Sequence, residues 1–145
     1  MKYLVIGIAI VLLTVVGCAS PEAGPGEQVY DDGVYRGVFL DGGEFQVNVQ
    51  FTLEDNVVTE ARFRHLQYRD TDYLDSDDDV VVGLREQHEA LLEHLIGTDI
   101  RDSLEDLYTP DFVEDFDGYS GATLRGNKVI SAIRDALNRG VYVRP

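Results

Sequence analysis

The sequence contains no tryptophan, a single cysteine and a single methionine among its 145 residues. One cysteine cannot form a disulfide within the chain, so the fold must be held together by its hydrophobic core. Basic residues are also scarce, because 12 lysines and arginines stand against 27 aspartates and glutamates, for a net charge of -15. This charge repels phosphates, which argues against binding of nucleic acid or of anionic lipid through the protein surface.

No apolar run has the length of about 20 residues that a membrane span needs. The longest, Leu4 to Val16, follows Lys2 and is typical of the apolar region of a signal peptide. It leads into Gly17-Cys18-Ala19, which resembles the bacterial lipobox. The resemblance implies cleavage before Cys18 and lipidation of that residue, and so an extracytoplasmic protein anchored at the cell membrane or the outer membrane. Ala19 favours the outer membrane, and a secreted protein with an incidental cysteine is the alternative.

Three parts of the chain follow from this pattern. Residues 1–17 are predicted to be a lipoprotein signal peptide, and residues 18–31 the lipidated cysteine and a flexible tether rich in proline and glycine. Residues 32–145 are predicted to form one folded domain, because their length suits a single domain.

The first half of this domain shows the pattern of a β-meander. Residues 33–40, 44–53 and 57–66 are rich in β-branched and aromatic residues, and short turn sequences separate them. Residues 44–53 alternate strictly, which predicts a half-buried strand. The apolar set on its inner face is Phe45, Val47, Val49, Phe51 and Leu53. Short turns between neighbouring strands predict antiparallel pairing.

The second half shows helical spacing. A helix is predicted over residues 84–96, a short helix capped by Thr98 or Asp99 follows it, and the last helix spans about residues 124–139. Residues 141–143 are predicted to form a short closing strand. The fold class is therefore α+β, an antiparallel sheet with packed helices.

The histidines and the acidic residues offer no convincing metal site. Residues 68–79 are acidic, but they lack the glycine and glutamate positions of an EF-hand loop, so a solvated loop is predicted. His65, His88 and His94 share no face at ligand spacing, and all three are predicted to lie on the surface.

The segment that precedes the last helix has the residue types of an anion site. Small residues at positions 120–122 allow a ligand to approach the backbone, and Thr123 supplies a hydroxyl where the first helical amides lack internal partners. Arg125 and Lys128 are within reach of an anion there. The alternative is structural, with Ser120 or Thr123 acting only as a helix cap.

The string Asp117-x-x-Ser120-Gly121-Ala122-Thr123 resembles the flavinylation signature of the FMN-binding domain family. This family includes the covalent-flavin subunits of the sodium-pumping quinone reductase and of the Rnf complex. Residues 32–37 also resemble the start of these domains. In the family, a Thr-Ser or Ser-Ser pair often stands one residue after the signature threonine, and here Arg125-Gly126 occupies that place.

The resemblance implies that a separate flavin transferase esterifies the Thr123 hydroxyl with the phosphate of FMN, using FAD and Mg²⁺. Asp117, Ser120, Gly121 and Ala122 would then serve the transferase or the phosphate geometry. Tyr119 is a candidate for contact with the flavin ring, although a tyrosine of the core is an equal alternative.

A flavin held in this way would make the protein an exported electron carrier between redox partner proteins. The sequence shows no site for a second substrate, which favours an electron-transfer protein over a stand-alone enzyme. Two alternatives stay open: a non-redox lipoprotein that binds a ligand or partner, and a flavin-dependent reductase that acts on an extracytoplasmic acceptor.

Overall fold

The computed structural model describes residues 29–113 and 125–144. Four antiparallel strands lie in the order β1-β2-β3-β4, and helices pack on one face of the sheet. The strands are β1 (Gly33–Asp41), β2 (Phe45–Glu54), β3 (Val57–Tyr68) and β4 (Thr71–Asp72). The helices are α1 (Asp79–Leu95), α2 (Ile100–Ser103), a 3-10 helix (Leu104–Tyr108) and α3 (Gly126–Arg139). The predicted α+β class and antiparallel meander are confirmed.

The two hairpins form where alternation and turn residues predict them. All five apolar side chains on the inner face of β2 are buried, and the polar residues between them are only half-buried. The β2–β3 turn is made by Asp55 and Asn56, whose φ angles are 52° and 66°. Such positive values at both central residues are typical of a two-residue hairpin turn, for which aspartate and asparagine are suited.

Three element predictions need correction. The predicted acidic loop contains β4, which pairs with the end of β3 through a turn at Arg69, whose φ is 52°. Helix α1 begins at Asp79, five residues before the predicted start, because the Asp78 carboxylate accepts hydrogen bonds from the amides of Val80 and Val81. Residues 141–143 form no strand.

The free edge of β1 is covered by other parts of the chain. The amide of Tyr142 donates to the carbonyl oxygen of Val34 at 2.7 Å. The amide of Val38 donates to Oδ2 of Asp135 in α3 at 2.8 Å. These contacts use backbone groups of β1 that point away from β2.

Helix α3 lies against β1 and β2 because Gly37 leaves room for it. A Cβ atom at Gly37 would lie 2.0 Å from the carbonyl oxygen of Ala132 and 2.5 Å from the amide nitrogen of Ala136. The helix buries Val129, Ile130 and Ile133 in the common core. The position of α3, and so of its first turn, is therefore fixed by the sheet. Within the described residues, no helix has both the length and the apolar character needed to cross a membrane.

Candidate functional site

Most of the site residues predicted from the sequence lie outside the described residues. These are Asp117, Tyr119, Ser120, Gly121, Ala122, Thr123 and the lipidation candidate Cys18. The description resumes at Arg125, two positions after Thr123, and α3 begins at Gly126. The site is therefore described through the start of α3 and the residues that surround it.

The start of α3 has the properties of an anion site. The N-cap position belongs to Arg125, whose side chain makes no capping hydrogen bond, and the first turn contains no acidic residue. The first amides of a helix have no partner within the helix and carry the positive end of its dipole. A phosphate group near this end would therefore be stabilised by the backbone alone.

Packing fixes this helix start in place. A Cβ atom at Gly126 would lie 2.2 Å from the carbonyl oxygen of Leu107, at the 3-10 helix. Only glycine allows the two backbones to approach so closely. The contact with Leu107 thus accounts for a glycine at position 126.

Two basic side chains lie beside the helix start, over aromatic rings. The guanidinium carbon of Arg125 is 4.9 Å from the ring centroid of Tyr68 and 5.6 Å from that of Phe45. Lys128 lies 4.6 Å from the ring centroid of Phe39, and its Nζ atom is 2.8 Å from Oδ2 of Asp41. Among the described residues Arg125 has no carboxylate partner.

His88 also belongs to this region, and the prediction that it lies on the surface is wrong. Its side chain is fully buried, and its ring contacts Phe45 and Tyr73 at centroid distances of 5.9 and 5.8 Å. Leu84, His88 and Leu91 follow one another at helical spacing, so the apolar stripe of α1 was the signal for its burial. His65 and His94 are partly exposed.

The hydrogen bonds of His88 fix its protonation. Nδ1 donates to the carbonyl oxygen of Leu84 at 2.7 Å, which leaves Nε2 as the acceptor, 3.5 Å from the backbone nitrogen of Arg125. Burial, the largest cause, and the charge of Arg125 together lower the pKa of His88 to about 4, although the bond to Leu84 acts in the opposite direction. His88 is therefore neutral at pH 7.

Tyr73 completes the buried group below Arg125. Its ring packs edge-on against His88, and burial raises the pKa of its hydroxyl.

In residues 29–113 and 125–144, no three histidine, cysteine, aspartate or glutamate side chains are arranged to hold a metal ion.

Comparison with known families identifies the family of this chain. A family model described as the FMN-binding domain matches residues 42–138, about two thirds of the chain. The chain belongs to the FMN-binding domain family. The match spans the signature segment, the start of α3 and the middle of the chain. Neither the curated proteins nor the solved structures that were compared gave a match.

The described residues fit the cofactor of an FMN-binding domain. The uncapped start of α3 and the guanidinium of Arg125 supply the hydrogen-bond donors and the positive charge that a phosphate requires. The half-buried rings of Phe39 and Tyr68 supply apolar surface close by, against which a flavin ring could stack.

Proposed function

We propose that the protein carries FMN on Thr123, through a phosphoester with the threonine hydroxyl, and that it transfers electrons outside the cytoplasm while anchored by lipid on Cys18. The observation that carries this proposal is the junction between the signature and α3. Residues 117–123 lead into a helix start that has no side-chain cap, no acid in its first turn and an arginine without a carboxylate partner among the described residues. A phosphodiester is the group that such a start accommodates.

A covalent link suits an exported carrier for a kinetic reason. A ligand bound with nanomolar affinity and an on-rate of about 10⁶ M⁻¹s⁻¹ leaves at about 10⁻³ s⁻¹, within minutes to an hour. Inside a cell the cytoplasmic pool replaces it, whereas outside the cytoplasm it is diluted away. The signal peptide and the threonine signature therefore support each other.

The residues of the chain hold and orient the cofactor in this proposal. When bound, the isoalloxazine ring supplies the redox chemistry, which belongs to the cofactor. Arg125 and the first amides of α3 hold the phosphate end, and Phe39 and Tyr68 limit where the ring can lie. The partners are a flavin transferase, which makes the ester, and redox proteins that deliver and accept electrons.

The decisive experiment is co-expression with a flavin transferase, followed by a denaturing gel viewed under ultraviolet light. We expect a fluorescent band of the unsubstituted protein and none for Thr123→Ala. Thr109→Ala, at an exposed threonine before the signature, is the matched control and should keep the band. A fluorescent Thr123→Ala band would show that the flavin is attached elsewhere.

The intact mass of the mature protein tests the remaining parts. An added FMN phosphoester and a diacylglyceryl group on Cys18 are expected together. A protein that carries lipid but no flavin would favour the non-redox lipoprotein. Turnover of a small acceptor by the purified flavoprotein, without partner proteins, would favour the reductase.

A further inference from the structure

A second basic site lies on the face of the sheet that points away from the core. A groove of about 360 Å³ runs between this face and the segment that follows α3. We call it the arginine groove, and its polar lining consists of Arg36, Asn48, Arg64, Arg139 and Tyr142. No acidic residue lines it, although the whole chain carries a net charge of -15.

Two guanidinium groups in the groove donate hydrogen bonds to the same uncharged oxygen atom. The Nε atom of Arg36 donates to Oε1 of Gln50 at 2.9 Å, and Nη1 of Arg64 donates to the same oxygen at 3.1 Å. Neither arginine forms an ion pair with any of the described residues. Like charges this close repel each other, and an anion between them would remove the repulsion.

The groove is also ordered in advance of any ligand. The guanidinium carbon of Arg36 lies 3.8 Å from the ring centroid of Tyr142, a cation–π contact that favours this position of the guanidinium. Tyr142 is itself fixed by the bond from its amide to Val34. Holding a guanidinium in place lowers the entropy lost when it binds a carboxylate or phosphate.

Asn48 indicates that the ligand also carries a hydrogen-bond donor, which an anion without N–H or O–H groups lacks. Its Oδ1 atom is buried and has no hydrogen-bond partner among the described residues. A buried acceptor without a donor is unfavourable. A ligand that carries a hydroxyl or N–H group beside its negative charge would satisfy this oxygen.

We infer that the arginine groove binds a small organic oxyanion, a carboxylate or a phosphate ester that also carries a hydrogen-bond donor. Its volume lies at the lower end of the range for small-molecule sites. Arg139 and Gly140, at the end of α3, line the groove, whereas the flavin site is proposed at the start. A helix of 14 residues is about 20 Å long, so the two sites are separate. The inference is independent of flavin attachment.

The first test is titration of the protein with inorganic phosphate and, separately, citrate, followed by the side-chain Nε–Hε signals of arginine in NMR spectra. We expect saturable shifts of the Arg36 and Arg64 signals with at least one probe. The double variant Arg36→Gln/Arg64→Gln should weaken binding at least tenfold. Arg69→Gln/Arg134→Gln, which removes the same charge from exposed arginines elsewhere, should bind as the unsubstituted protein does. Shifts confined to Arg125, or none at all, would overturn the inference.

The second test replaces the negative charge of the ligand with that of a side chain in the protein. Gln50→Glu places a carboxylate where both guanidiniums already donate, with almost no change of shape. We expect this variant to unfold at a higher denaturant concentration and to lose at least tenfold in affinity for the probe. Unchanged affinity in Gln50→Glu would contradict the inference even if the double variant failed to fold.

Discussion

The backbone nitrogen of Arg125 lies 3.5 Å from Nε2 of His88, a residue 37 positions earlier in the chain. The ring is buried, and its other nitrogen is bonded to Leu84, so Nε2 faces the start of α3 as an acceptor. Arg125, two positions after the last residue of the flavinylation signature, is thus contacted by a neutral histidine of α1. Protonation of His88 would turn the acceptor into a donor and place a charge beside the guanidinium of Arg125.

Stability is expected to fall in mild acid because of His88. Its pKa is lowered from 6.5 to about 4 in the folded protein, so the unfolded chain binds the proton more readily between these values. The contribution of neutral His88 to the free energy of unfolding is complete above pH 6.5, and it is lost as the pH falls toward 4. Between pH 7 and pH 5 the loss is about 2 kcal/mol, measurable as the free energy of unfolding in urea. In His88→Leu this difference should shrink, and an unchanged difference would assign the pH dependence to other groups.

Adding one methyl group at the start of α3 should loosen it from the 3-10 helix. Gly126→Ala is expected to lower the free energy of unfolding by about 2 kcal/mol or more, because its Cβ atom would lie 2.2 Å from the carbonyl oxygen of Leu107. Gly83→Ala, within α1, is the matched control, since nothing lies within 4 Å of its Cβ position. There the same change should raise stability by about 0.5–1 kcal/mol. Equal effects at both glycines would mean that the Leu107 contact is unimportant.

The charge of Arg125 should make the flavin easier to reduce, if FMN is attached to Thr123 as proposed. Reduction places negative charge on the ring, and a nearby guanidinium stabilises it by Coulomb attraction. Arg125→Gln is therefore expected to lower the reduction potential, on the order of 20 mV for about 1 kcal/mol in a two-electron couple. Redox titration followed by flavin absorbance measures the change. Arg134→Gln, at an exposed arginine paired with Glu105, should shift the potential less. A rise in potential in Arg125→Gln would contradict the prediction.

The sequence predicts the hairpins and α3 well because their signals are local. Alternation identifies β2, the turn residues Asp55 and Asn56 set the β2–β3 hairpin, and an apolar stripe identifies α3. Strand β4 was missed since two residues are too few to show a period. The apolar pattern of residues 141–143 suggested a strand, but side-chain and single backbone contacts cover the edge of β1 instead.

The site is predictable only in part, for a different reason. Thr123 and its neighbours form a local string, and its family resemblance is matched by the FMN-binding domain model over residues 42–138. The placement of Arg125 over Tyr68, and of His88 beneath it, joins three distant parts of the chain. Such contacts depend on packing, and no local pattern contains them. The arginine groove was missed for the same reason, because its members come from three strands, the end of α3 and the C-terminal segment.

The covered edge of β1 bears on how closely these domains can be crowded. An open strand edge is a template on which another chain can add a strand, and this leads to fibrous aggregates. Here the amide of Val38 is taken by Asp135 and the carbonyl of Val34 by Tyr142. In many copies held side by side, this edge of β1 would therefore not be free to pair with a strand of a neighbouring copy. The domains could then stay individually folded at high local density.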